Sequence, residues 1–203
     1  MELPFTYDWL RRDNPAMNVL SAEKEIEMAA SFCFYRRGDK FTNIILNIKF
    51  KHQQLAAKQL GQWFAREVKE NGVGLDAIDL IIPMPLHKFR LWWRGYNQTY
   101  CIAEGIEKVF NAPICCDAVI RSVHTKVQSK MKGRWLRIQN TENIFKVVDS
   151  KKLEGKHILL IDDVLTTGAT LRSLIRCITE STDNCKISVL TLSRTEKRVD
   201  RQF

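Results

Sequence analysis

His157-Ile158-Leu159-Leu160-Ile161-Asp162-Asp163-Val164-Leu165-Thr166-Thr167-Gly168-Ala169-Thr170-Leu171 joins an apolar run, two carboxylates, a hydroxyl-rich turn and the start of a helical pattern. The run His157 to Ile161 reads as a buried strand ending in Asp162-Asp163. A helix then follows from about Ala169 to Thr182, with Leu171, Leu174, Ile175 and Ile178 on its apolar stripe. In an open parallel sheet, ligands collect at the carboxyl ends of strands, and this is such an end. The backbone amides of Thr166 to Thr170 face a turn at the positive end of the next helix, where a phosphate is favoured. Hydroxyls of Thr166, Thr167 and Thr170 can donate to the same phosphate, and Gly168 lets the backbone come close. Asp162 and Asp163 suit sugar hydroxyls, or help with a hydrated magnesium, which prefers oxygen ligands. One such residue alone would be read as a helix cap, but capping needs only one, and the whole string points to a phosphorylated sugar. Neither G-x-x-x-x-G-K-[ST] nor G-x-G-x-x-G occurs in it, so neither a P-loop nor a dinucleotide fold is supported.

Working outward, Asp79-Leu80-Ile81-Ile82 is a second short buried strand, followed by a helix around Tyr96 to Phe110 with Ile102, Ala103, Ile106 and Phe110 on one face. Lys186 to Leu192 makes a third strand. Strands alternating with helices predict an α/β fold, a mostly parallel sheet flanked by helices. Asn71-Gly72-Val73-Gly74 reads as a seam, setting residues 1–75 apart as an N-terminal extension of the same fold unit and 76–203 as the core. Within the extension, Ala56, Leu60, Trp63, Phe64 and Val68 recur at helical spacing, Ala29 to Tyr35 reads as a strand, and Ser21-Ala22-Glu23-Lys24 resembles a helix start.

The chain has 203 residues and a net charge of +9, a balance that suggests anionic partners such as phosphorylated small molecules or nucleic acid. Arg121 to Lys156 holds ten basic and three acidic residues, so +7 of the surplus is local. Apolar runs are cut by Pro or Asp well short of the roughly 18 residues a membrane span needs. The first residues carry Glu2, Asp8 and Asp13 and no secretory pattern, so a cytoplasmic location is the default expectation. Six cysteines without a C-x-x-C pair read as reduced, mostly buried thiols, and no metal ligands are assigned. His87 to Arg94 interleaves Phe89, Trp92 and Trp93 with Lys88, Arg90 and Arg94, an arrangement that stacks bases and tracks phosphates in single-stranded sites. The same aromatics would equally suit a cover over the active site or a contact between subunits, and a homo-oligomer is left open.

Asp162 to Thr170 resembles the phosphoribosyl pyrophosphate (PRPP) motif of type I phosphoribosyltransferases. Pro83-Met84-Pro85-Leu86-His87 leading to Arg94-Gly95-Tyr96-Asn97-Gln98, and Thr125-Lys126-Val127-Gln128-Ser129 leading to Arg137 and Asn140, are similar to the competence protein F (ComF) family. That resemblance implies an amidophosphoribosyltransferase-like fold with a small hood, and a link to DNA uptake in transformation. It further implies PRPP as substrate with magnesium, and transfer of the phosphoribosyl group to an unidentified acceptor, with Asp162 and Asp163 as the candidate catalytic carboxylates. Thr166, Thr167, Gly168, Ala169 and Thr170 would hold the 5′-phosphate. Pro83, Met84 and Pro85 with Lys88 and Arg90 would hold the pyrophosphate. A mobile basic loop within 121–140 would close over the site. Arg94, Asn97, Gln98, Lys126, Gln128, Lys130 and Arg134 are the candidate contacts to substrate or nucleic acid. The family's N-terminal four-cysteine zinc ribbon is not matched, since only Cys33 lies near the start. A non-catalytic module that binds PRPP or a nucleotide together with single-stranded DNA is the competing expectation.

Overall fold

The computed structural model describes residues 3–23, 25–73, 75, 77–122 and 144–196. Four parallel strands form the sheet in the order β1-β6-β5-β2: β1 Ile26–Tyr35, β2 Leu80–Pro83, β5 His157–Leu165 and β6 Lys186–Thr195. A separate antiparallel pair joins β3 Val119–Arg121 to β4 Phe145–Val147. The helices are α1 Pro15–Leu20, α2 Lys40–Phe50, α3 Gln54–Asn71, α4 Lys88–Arg94, α5 Gln98–Phe110 and α6 Ala169–Thr179.

Parallel strands buried on both faces need unbroken apolar runs rather than alternation, and β5 and β6 have them. Leu159 and Ile161 pack with α2, α3 and α5 residues such as Ile45, Phe64 and Ile102. Ile158 and Leu160 face the other way, toward Leu171, Leu174 and Ile175 of α6 and Leu20 of α1. The result is the expected α/β arrangement with helices on both faces. Helices on each side of Gly72 share the first of these cores, and β1, from the N-terminal part, pairs with β6.

Helices α3 and α5 meet backbone to backbone through glycines. A Cβ at Gly105 would lie 2.0 Å from the Lys58 carbonyl oxygen, and one at Gly61 would lie 2.3 Å from the Ile102 oxygen. Neither neighbour can yield without separating the helices. Gly105→Ala is therefore expected to destabilise the fold by about 1–3 kcal/mol, the usual range for overpacking, read as a lower urea midpoint.

The structure corrects several local expectations. Ser21 closes α1 rather than opening a helix; the true start is Asn14-Pro15, where Asn14 Oδ1 accepts from the Met17 amide at 2.9 Å and proline occupies the first helical position. Strand β5 does not stop at Ile161 but continues through both aspartates to Leu165, because its backbone keeps pairing with β6 at Asp162↔Thr191 and Val164↔Ser193. Helix α6 ends at Thr179, and the helix after Gly95 begins at Gln98, capped by Asn97, whose Oδ1 accepts from the Thr99 amide at 3.1 Å. Of the residues expected to hold the pyrophosphate, Pro83 ends β2, while Lys88 and Arg90 ride on α4. None of the described helices is long and apolar enough to cross a membrane.

All six cysteines are free thiols: Cys33, Cys101, Cys115 and Cys185 are buried, Cys177 is half-buried and Cys116 is exposed. Burial pushes the Cys33 thiol up to about 12, which makes it inert.

Candidate functional site

Strand β5 delivers its two carboxylates to opposite faces of the sheet, as consecutive strand residues must be. Asp162 lines an open pocket of ≈ 250 Å³ together with Val164, Leu165 and every residue from Thr166 to Leu171. Asp163 points the other way and is buried, with Lys49 Nζ 2.9 Å from Oδ1 and Gln98 Nε2 donating to Oδ2 at 2.8 Å. The two motif aspartates therefore have different surroundings.

Asp162 is half-buried, and its Oδ1 accepts from the Asp163 amide at 2.8 Å. Its ionisation is raised to about 7, chiefly by burial and next by the adjacent Asp163 charge; the Asp163 amide, Lys49 and Arg121 oppose the rise. A carboxylate held this way gains from any cationic or hydrogen-bonding ligand that reaches it.

The turn owes its shape to Gly168, which has φ +74° and sits where a side chain would strike Val19 Cγ1 at 2.7 Å. Helix α1 thus walls the turn from behind. Arg172 Nη1 donates to the Val19 carbonyl at 2.7 Å, and Arg176 pairs with the buried Glu23 at 2.9 Å, so the wall is tied to α6 itself. The Ala169 amide reaches Thr167 Oγ1 at only 3.5 Å, a marginal bond. With the positive end of an eleven-residue helix behind it, the turn is suited to an anion.

The other predicted residues fall in different places. Pro83 and Pro85 have no amide to donate. The Met84 amide is already committed to the Ile161 carbonyl at 2.8 Å, and its oxygen receives Asn97 Nδ2 and Thr99 Oγ1. Lys88 is exposed and Arg90 half-buried on α4. Phe89, Trp92 and Trp93 are 56%, 78% and 66% exposed, so this helix presents aromatic faces among cations. Arg94 donates to Gln98 Oε1 and lies over the Phe50 ring at 5.5 Å. Burial lowers the Arg94 ionisation, against the pull of Asp163. His87 caps α4, its Nδ1 accepting from the Phe89 amide at 3.2 Å. His157 Nε2 lies 2.9 Å from Ser188 Oγ, away from the pocket. Lys126, Gln128, Lys130 and Arg134, and most of the basic loop, lie outside the described residues.

Two residues escaped the sequence reading. Arg121 ends β3 with its guanidinium 5.5 Å above the Phe145 ring; burial and the charge of Arg90 lower its ionisation while Asp162 raises it. Arg121 counted only as one member of a basic stretch, and nothing in the sequence marked it off. Lys49 lies on α2, in the N-terminal part, and no local pattern ties it to a carboxylate so much later in the chain.

Comparisons with known proteins bear on the same region. A phosphoribosyl transferase domain model matches residues 100–203. Competence protein F of Haemophilus influenzae is 35% identical over 138 residues, 66% of this chain and 60% of that protein. Competence protein ComFC of Bacillus subtilis is 36% identical over 115 residues, 57% of this chain and 44% of its own length. The DNA utilization protein YhgH of Escherichia coli K12 is 28% identical over 137 residues, 66% of this chain and 59% of YhgH. Each match thus spans three fifths or less of the relative. Among solved structures, glutamine PRPP amidotransferase from B. subtilis aligns at a TM-score of 0.46 and 16% identity, over 71% of this chain and 30% of that one.

Proposed function

We propose, for a chain that belongs to the phosphoribosyl transferase domain family, that it binds PRPP with magnesium at the end of β5 and transfers the phosphoribosyl group to an acceptor. The observation that carries this reading is a single half-buried carboxylate, Asp162, lining one pocket with the whole Thr166–Thr170 turn. The turn would take the 5′-phosphate, and Asp162 would accept from the ribose hydroxyls. Arg90 and Arg121 would draw the pyrophosphate, whose negative charge would relieve the repulsion between the two cations. In the transfer, the acceptor's lone pair forms a bond to C1′ while the C1′–O bond breaks and its electron pair leaves on pyrophosphate. Cations aimed at that leaving group favour the transition state.

Among the described residues no group of three or more His, Cys, Asp or Glu side chains could cage a metal. One carboxylate beside threonine hydroxyls fits a magnesium held mainly through PRPP oxygens and water. Bound there, the ion would neutralise charge on the departing pyrophosphate.

Calorimetric titration with PRPP, with and without magnesium, tests the binding. Incubation with pooled nucleobases, ammonia or glutamine tests the transfer by acceptor-dependent pyrophosphate release. Magnesium-dependent binding and such release are expected. Absence of binding overturns the reading, and binding without release leaves a PRPP-holding module.

The exposed Trp92 and Trp93 favour a second function for the same chain, a hold on single-stranded DNA. Bases would stack on the two indoles while Lys88 meets a phosphate. Trp92→Ala should then weaken single-strand binding by about 1 kcal/mol, the low end of a stacking contribution. Lys88→Gln should flatten the plot of log affinity against log salt by about 0.7. A fluorescence-anisotropy titration at several salt concentrations reads both effects, and unchanged values in both variants would remove DNA from this helix.

A further inference from the structure

Asp163 is gripped from two directions. Lys49, in the last turn of α2, takes Oδ1, and Gln98, the first residue of α5, takes Oδ2. The Gln98 amide can present its nitrogen to Asp163 because its oxygen is turned to accept from Arg94. Arg94 in turn rests on the ring of Phe50, the residue after Lys49. Helix α2 therefore supports both ends of one chain of donors and acceptors. With each carboxylate oxygen engaged and its side chain only 7% exposed, Asp163 has little left to offer a ligand directly. What it does supply is its backbone amide, which donates to Asp162 Oδ1, and Asp162 lines the pocket.

We propose that Lys49 is a positioning residue for the strand-end pocket: together with Gln98 it fixes the Asp163 carboxylate, and through the Asp163 amide it holds the Asp162 carboxylate toward the Thr166–Thr170 turn. This inference rests on the PRPP reading above. Without the ammonium, one Asp163 oxygen loses its partner in a nearly dry site, and the carboxylate turns to find another donor. The paired backbone can yield only slightly, but that shift moves the Asp163 amide on which the Asp162 carboxylate is held, and Asp162 loses part of its fixed direction. Helix α2 thereby becomes part of the ligand site although none of its residues lines the pocket.

The test is a calorimetric PRPP titration in magnesium, paired with a thermal melt, on the wild type, Lys49→Met, Lys49→Arg and Gln98→Met. Outer-shell partners of metal ligands typically change metal affinity 10–100-fold when removed, and by analogy with the lower end Lys49→Met should raise the PRPP dissociation constant roughly tenfold. Lys49→Arg, which keeps a cation against Asp163, should recover most of that loss, and Gln98→Met, which keeps the ion pair, should fall between. A merely structural lysine would lower the melting temperature and leave the dissociation constant alone; that result overturns the inference. So does a Lys49→Arg protein as weak as Lys49→Met. If Lys49→Met does not fold, an unchanged constant in Gln98→Met overturns it equally. A wild type that binds no PRPP is a different outcome, which fails the PRPP reading first and the inference with it.

Discussion

Asp8→Ala should cost about 3–5 kcal/mol of folding stability, the range for removing one member of a buried ion pair. Asp8 accepts twice from Arg194: Nε at 2.7 Å and Nη2 at 3.1 Å. Their side chains are 1% and 10% exposed. Arg194 is also stacked 4.7 Å above the Phe34 ring, so it cannot swing out to water without losing that contact. Without Asp8 the guanidinium charge would stay buried with no opposite charge beside it. The turn that carries Asp8 places Trp9 in the core, and Asn14 Nδ2 donates to the Asp8 carbonyl at 3.1 Å, so loosening Asp8 also disturbs the N-terminal approach to β1. Against a typical total of about 5–15 kcal/mol, such a loss is large. Urea unfolding should show a lower midpoint with an unchanged slope. Asp8→Leu combined with Arg194→Met should recover most of the stability, since a well-packed apolar pair often equals a buried ion pair. A single variant within about 1 kcal/mol of wild type, the scale of an exposed pair, would mean that water reaches Arg194 after all.

Most of the sheet was legible because parallel strands buried on both sides advertise themselves as continuous aliphatic runs. The strand ends were not, because pairing is made by the backbone and does not register in side-chain polarity. Asp162 and Asp163 interrupt the apolar run of β5, yet the strand continues beside Thr191 and Ser193 of β6. The turn from Thr166 to Thr170 could be read as a turn because its residue types are local: hydroxyls, a glycine and a helix start lie within five residues. The support of that turn is not local. Val19 stands behind Gly168, Lys49 reaches Asp163, and Arg121 shares the field of Arg90 and Asp162. Such partners are set by tertiary packing, and no periodicity in the chain points to them. Helix α4 was hidden for another reason: seven residues with three exposed aromatics carry no apolar stripe, and only the His87 cap and Gly95 stop delimit it.

Adjacent aspartates on one strand should shift folding stability in opposite directions. Asp163→Ala leaves Lys49 and the Gln98 amide without their acceptor, and it should cost about 3 kcal/mol, the lower end of the buried-pair range because Lys49 keeps 24% of its side chain exposed. Asp162→Asn should behave in the reverse way. On the proposed reading Asp162 accepts from two ribose hydroxyls, so its loss would remove charge-assisted bonds of about 1.5 kcal/mol each at least, or roughly a hundredfold in PRPP affinity. Its fold should not suffer. Asp162 ionises at about 7 in the folded chain against an ordinary value of 3.8, so between those values the native state holds a proton that the unfolded chain has released. Native stability therefore falls as pH rises from about 4 to about 7, and stays reduced above. An asparagine carries no such penalty, and Asp162→Asn should melt above the wild type at pH 8, with the difference shrinking as the pH is lowered toward 4. Equal melting temperatures throughout, with PRPP affinity intact, would mean that Asp162 neither bears the strained charge nor meets the ribose. The residue that weakens the empty protein is then the one that binds, as expected where a site holds a charge ready for its ligand.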